Sequence, residues 1–330
     1  MSLLSLPSEL ILMVAQGLEF NRDINSLTRT TKLLYPLLNE LLHRKNITYP
    51  RKKNELSWHV NLLSAESMQQ FLKYGADVDQ RDINGLTPLI IAARQGELEV
   101  AKVLLEQNAD INTVATGVSD WAEGTPWMRF SGPPLVAAAG KGHYEMAKLL
   151  LDHGADVNHK QTKNFFTCAL EAAIFYRRGK TARLLLDRGA DVETSGRFPS
   201  PLVLASRVGD TKMVISLLIR GANIDFQHPK FGTALHIAVT QSGAGRIKTT
   251  KELLKRGANV NATRADGHTA LSLVRSLPIT AYSLTTRSLA RTSSISRDVE
   301  TLLLLFGADP SIKPKQSSRS VTVWDYIINT

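Results

Sequence analysis

Chemistry in a protein needs a few side chains at fixed spacing, and in this 330-residue chain the first candidates are eight histidines and one cysteine. The histidines stand at 43, 59, 143, 153, 159, 228, 236 and 268, with no two at the i, i+4 separation of a helical zinc site. Cys168 has no second thiol to join it, so it can neither staple the fold nor complete a cysteine metal site, and it reads as a small apolar packing residue in a short helix. Phosphate-binding loops fare no better. Gly140-Lys141-Gly142 lacks the earlier glycine and the Lys-Ser/Thr pair of a P-loop, and Gly243-Ala244-Gly245 lacks a third glycine, so both read as turns between helices. No Gly-x-Ser-x-Gly elbow occurs. Acidic residues gather at a recurrent Gly-Ala-Asp turn, where Asp satisfies nearby backbone amides. The expectation is a chain with no catalytic residue, cofactor or metal.

The elements carrying these residues are organised by that turn. It recurs at Gly75-Ala76-Asp77, Asn108-Ala109-Asp110, Gly154-Ala155-Asp156, Gly189-Ala190-Asp191, Gly221-Ala222-Asn223, Gly257-Ala258-Asn259 and Gly307-Ala308-Asp309, at intervals of 33, 46, 35, 32, 36 and 50 residues. A self-similar period near 33 predicts a solenoid in which each unit buries its apolar face only against its neighbours. Within one unit, Thr87 or Thr233 is placed to cap a helix through its side-chain oxygen, and Pro88 sits at the first helical position. Leu89, Ala92 and Ala93 give a short first helix, and Leu98 to Leu105 a second that ends before a left-handed cap.

The best-formed unit runs from Phe231-Gly232-Thr233-Ala234-Leu235-His236-Ile237-Ala238 to Gly257-Ala258-Asn259-Val260-Asn261. It resembles the ankyrin repeat, and the resemblance covers roughly residues 54 to 330. The resemblance implies an all-α solenoid of seven repeats, with His236 in the family's own histidine place, where it fixes a turn by hydrogen bonding. Thr322-Val323-Trp324-Asp325-Tyr326-Ile327-Ile328 looks like the first helix of a partial C-terminal cap, with Trp324 and Tyr326 closing the open end.

Two intervals carry insertions. One falls near residues 117–131 and holds Trp121, Trp127, Met128 and Phe130. Insertions in repeat arrays map to loops on one face, often the binding face, and Trp is enriched at binding hot spots. Trp121, Trp127 and Phe130 are therefore candidate partner-binding residues; the alternative is that these rings fold back and fill their own repeat. The other insertion, residues 280–297, is rich in Ser and Thr, carries Arg287, Arg291 and Arg297 without an acid, and reads as a mobile, solvated loop, with Ser293 or Ser294 a weak phosphorylation candidate.

Ahead of the array, residues 1–45 hold apolar residues at helical spacing: Leu10, Ile11, Val14 and Leu18, then Ile24 and Leu27, then Leu33 to Leu42. The first stretch lacks a basic n-region and carries Glu9, which reads as a helical module rather than a secretion signal. Leu6-Pro7-Ser8-Glu9-Leu10-Ile11, followed by Arg22-Asp23-Ile24-Asn25-Ser26-Leu27 and Lys32-Leu33-Leu34-Tyr35-Pro36-Leu37-Leu38-Asn39, resembles an F-box. The third helix departs from the family in having Thr30 or Thr31 where a valine is usual, and Tyr35. The order of an F-box-like module and then an ankyrin array is similar to a class of fungal adaptor proteins. That resemblance implies a Skp-type adaptor of a cullin-RING ubiquitin ligase as one partner, bound through Leu6, Pro7, Leu10, Ile11, Val14 and Leu18, and an unknown protein substrate on the ankyrin surface. The other reading is that these helices only cap the first repeat.

Residues 46–53 form a short basic linker, and the whole chain carries a formal charge of +10. The basic clusters at 44–53 and 287–319 are not interleaved with aromatics as nucleic-acid platforms are, so no nucleic-acid partner is expected. No apolar run reaches the 18 or so residues of a membrane span, so no membrane partner is expected either, and the lone cysteine fits a cytoplasmic or nuclear location.

Overall fold

A computed structural model describes residues 65–73, 76–82, 85–115, 132–160, 168–193, 199–241, 245–276, 286–312 and 314. The F-box-like module, the basic linker, the 117–131 insertion and the C-terminal cap motif lie outside the described residues.

The described residues form thirteen α-helices and no strand, only two isolated bridges, His228 with Gly232 and Thr263 with Thr269. The helices fall into two compact units, divided after His159. The first holds α1 (Ala65–Lys73), α2 (Pro88–Gln95), α3 (Leu98–Glu106), α4 (Pro134–Lys141) and α5 (Tyr144–Asp152). The second holds α6 (Ala169–Phe175), α7 (Gly179–Asp187), α8 (Pro201–Val208), α9 (Thr211–Ile219), α10 (Ala234–Thr240), α11 (Gly245–Lys255), α12 (Ala270–Ser276) and α13 (Thr286–Leu305).

Helices of seven to nine residues are too short to persist alone in water, so packing must supply their stability. Inside each unit the first helix of a repeat packs on its own second helix and on the first helix of the next repeat: α2 on α3 and α4, and α8 on α9 and α10. Alanines make the first helices thin enough to stack. Ala92, Ala93, Ala137, Ala138, Ala139, Ala172, Ala173 and Ala205 have no exposed surface. The second helices α3, α5, α7, α9, α11 and α13 each contribute one fully buried leucine in the same register: Leu104 and Leu150 in the first unit, Leu185, Leu217, Leu253 and Leu303 in the second. Each is worth about 1.5–3 kcal/mol of burial.

Pro88, Pro134 and Pro201 stand at the first helical position, where a missing N–H costs nothing. Gly96, Gly142 and Gly209 end those helices in the left-handed region, at φ 85°, 81° and 72°. The same turn after α6 is made by Arg177 at φ 58°, a side chain where glycine is the usual solution. Gly245 has another reason for lacking a side chain: a Cβ there would lie 2.6 Å from the Gly209 carbonyl oxygen.

Three sequence expectations need correction. Thr87 makes no side-chain cap; its buried hydroxyl has no partner, and the helix is closed by backbone bonding from Ile91 N–H to the Thr87 carbonyl at 3.2 Å. Cys168 is buried, as expected of a packing residue, but it is the extended N-cap of α6 rather than a helical position. The 280–297 segment is not a loop throughout: from Thr286 it is helical and continuous with α13. No Gly or Pro falls between Pro278 and Gly307, so nothing in the chain interrupts a helix that its last turns anchor through Val299 and Leu303. Ser296 within it accepts a hydrogen bond from Arg246 Nη1 at 3.1 Å, tying the segment to α11.

Candidate interaction surface

The turns between repeats project as fingers, and their polar residues are held in a ladder. The first Asp or Asn of each finger folds onto the backbone two residues on: Asp77 accepts from Asp79 N–H, Asp110 from Asn112, Asn223 from Asp225 and Asn259 from Asn261, all at 3.0–3.1 Å. The residue two positions later reaches the next finger. Asp79 accepts from Asp110 N–H, Asn112 from Asp156, Glu193 from Asn223, Asp225 from Asn259 and Asn261 from Asp309. Burial raises the Asp79 carboxyl above its ordinary value, and the bond from Asp110 N–H pulls it back. In the second unit, Ser311 stabilises the Asp309 carboxylate and lowers its value. The Gly-Ala-Asp carboxylates are thereby engaged in backbone bonding, which fixes finger shape.

His236 is the most constrained ionisable group. Nδ1 faces the Thr233 backbone N–H at 3.1 Å and so must accept, while Nε2 faces the Ala262 and His268 carbonyls at 3.0 and 3.2 Å and so must donate. That selects the neutral Nε2–H tautomer. Burial, and then the Arg264 charge, depress its pKa to about 4. In α2 the equivalent residue is Ile90, which explains why the Thr87 hydroxyl is left alone while Thr233 Oγ1 lies 2.8 Å from His236 Nδ1.

Both stems of the 117–131 insertion are fixed. Arg81 Nη1 donates to the Gly85 and Val114 carbonyls at 2.9 and 2.8 Å, and Nη2 to Thr113 Oγ1 at 3.0 Å, while Ala115, Gly132, Pro133 and Pro134 are buried. The candidate partner residues Trp121, Trp127 and Phe130 lie outside the described residues, as do Leu6, Pro7, Leu10, Ile11, Val14 and Leu18. In the second unit the Arg207 guanidinium lies 5.1 Å from the centroid of the Phe175 ring, joining the ends of α8 and α6. Among the described residues, no three His, Cys, Asp or Glu side chains converge as a metal would require, and no helix is long and apolar enough to cross a membrane.

This geometry of paired short helices, left-handed caps and laddered fingers agrees with comparison to known proteins. The model of the family described as "Ankyrin repeats (3 copies)" matches residues 29–115, 124–195 and 200–274. The chain belongs to the ankyrin-repeat family. The human ASB11 ankyrin repeat domain shares its fold at 23% identity and a TM-score of 0.56, over 78% of this chain and 99% of that one. An ankyrin repeat domain from Acinetobacter baumannii AYE is similar at 26% identity and a TM-score of 0.53, over 67% of this chain and 98% of the other. No curated protein sequence matches. As an ankyrin array the chain is a scaffold built to present surface for protein contact.

One set of surface residues escaped the sequence reading. Lys180, Lys212 and Lys248 are far apart in the chain, and windows of composition pass over them. They share a register only when the repeats are aligned on their buried leucines, Leu185, Leu217 and Leu253.

Proposed function

We propose that this protein is an adaptor that holds one protein on its ankyrin surface and is joined through residues 1–45 to a Skp-type adaptor of a cullin-RING ubiquitin ligase. The observation that carries the scaffold half is the repeat stack itself, whose histidine and finger carboxylates are engaged in structural hydrogen bonds. The ligase half rests on the Leu6-Pro7-Ser8-Glu9-Leu10 opening and the Asp23-Ile24 to Leu27 stretch. Ubiquitin transfer would be done by other subunits, so no residue of this chain need act as a catalyst. Work of this kind belongs in the cytoplasm or nucleus.

The test is co-purification of the full chain with the Skp adaptor, wild type against a Leu6→Ala, Pro7→Ala, Leu10→Ala variant of equal helical signal. Stoichiometric binding lost in the variant supports the ligase reading, and no binding by folded wild type refutes it. A second reading, in which the N-terminal helices only cap the array, is favoured by one specific observation: the ankyrin match begins at residue 29, inside the segment that resembles the F-box. On that reading the adaptor is not bound and truncation before residue 29 lowers the stability of the first repeats.

A further inference from the structure

Five residues before the buried leucine, α3 and α5 of the first unit carry acids, whereas α7, α9 and α11 of the second carry lysines, and α13 returns to an acid, Asp298. In the first unit the opening turn of α3 holds Glu99 and that of α5 holds Glu145, the sign a helix N-terminus favours. In the second unit the opening turns of α7, α9 and α11 contain no acid, and the equivalent residues are Lys180, Lys212 and Lys248. All three are exposed. A lysine beside a helix N-terminus opposes the macrodipole; at α9 the N-cap Asp210 offsets it, and among the described residues none of the three lysines is in an ion pair.

The neighbours on the same helical face extend the pattern. Residues at i, i+3 and i+7 project together, so α7 presents Lys180 and Arg183, and α11 presents Lys248, Lys251 and Lys255. Between them α9 presents Lys212, then Ile215, which is half-buried, then Ile219, which is 68% exposed. The acids beside these faces are already engaged: Asp210 caps α9 by accepting from Met213 N–H at 3.1 Å, Asp187 pairs with Arg220, and Glu252 with Arg256 at 2.6 Å. Asp187 and Arg220 join α7 to α9, and Thr211 Oγ1 lies 3.0 Å from Thr249 Oγ1 between α9 and α11, so the three faces form one surface.

We propose that this outer face of α7, α9 and α11 docks an acidic, partly apolar segment of a partner protein in extended conformation. Charge complementarity selects an anionic occupant. The apolar stripe that runs along α9 from Ile215, one turn from Lys212, to the exposed Ile219 at the helix end selects a polypeptide, because a phosphate backbone offers it nothing to pack against. Spacing agrees: neighbouring helices pack about 8–10 Å apart, and one three-residue turn of an extended polyproline II segment advances about 9 Å and returns every third side chain to the same face. Acidic side chains at every third position would therefore meet Lys180, Lys212 and Lys248 in turn, with an apolar side chain beside the central acid lying along α9 on Ile215 toward Ile219. The inference rests on the scaffold half of the proposed function and is independent of the Skp adaptor.

The test uses the full chain and fluorescent 12-residue peptides carrying Glu at every third position, one with Leu and one with Ser between them. Wild type should bind the Leu peptide more tightly, with affinity falling as salt rises. Lys180→Glu, Lys212→Glu, Lys248→Glu should lower that affinity at least tenfold, and the corresponding triple Gln variant should lower it less. Ile219→Ser should weaken the Leu peptide about fivefold and leave the Ser peptide unchanged. Unchanged binding by either folded triple variant overturns the proposal. So does equal binding of the Leu and Ser peptides with stronger binding of a polyphosphate, which would make the face a general polyanion surface. Because co-purification with the Skp adaptor does not involve this face, failure of one experiment leaves the other readable.

Discussion

Acidification should unlock the array at His236 before it affects most of the rest. In the unfolded chain this histidine takes a proton near pH 6.5; in the fold it stays neutral down to about pH 4. Its folded pKa is depressed, so the stability it contributes is full above pH 6.5, falls as the unfolded state alone takes up a proton, and is gone below about pH 4. The whole gap corresponds to about 3 kcal/mol, of which about 2 kcal/mol is lost by pH 5. Geometry supports the sign: a proton on Nδ1 would point at the Thr233 N–H, donor against donor. His236→Gln removes the titration. Urea unfolding followed by circular dichroism at about pH 7.5 and about pH 5 should show wild type losing about 2 kcal/mol more than the variant. The His236 ring proton signal should titrate near 4 rather than 6.5. Parallel losses in the two proteins, or a titration near 6.5, would refute the reasoning. His228, also lowered by burial and by Lys230, moves both proteins equally and cancels in the comparison.

Three further substitutions follow from the packing. Thr87→Val deletes a buried hydroxyl that has no partner and should stabilise the first unit by about 0.5–1 kcal/mol, measured as a higher urea midpoint. Arg177→Gly relieves a left-handed backbone that costs an L-residue about 1–2 kcal/mol, and thermal unfolding should show a net gain of about 0.5–1 kcal/mol after glycine's entropy cost. Gly245→Ala drives a methyl against the Gly209 carbonyl and should cost about 1–3 kcal/mol by the same assay, with no compensation from improved helix propensity.

The fold was legible because a solenoid repeats its instructions. The Gly-Ala-Asp turn, the leading proline and the paired leucines state one local answer several times, and each helix meets only neighbours written in the same register. Finger bonding by Asp and Asn was legible for the same reason, since it reaches only two residues along the chain. The 280–297 segment was misread because Ser and Thr suggest a loop by composition, whereas helical continuity there follows from the absence of a breaker and from anchoring on the last repeat.

By itself, then, the sequence determined the architecture, the place of each turn and the role of His236, all properties set within one repeat or its immediate neighbour. Only the tertiary structure decided what depends on register between repeats. It fixed the insertion's stem through Arg81, 33 residues from its Val114 acceptor. It also drew Lys180, Lys212 and Lys248 into one row, with the Ile215–Ile219 stripe of α9 running away from it, because stacking converts residues some thirty apart in the chain into adjacent surface.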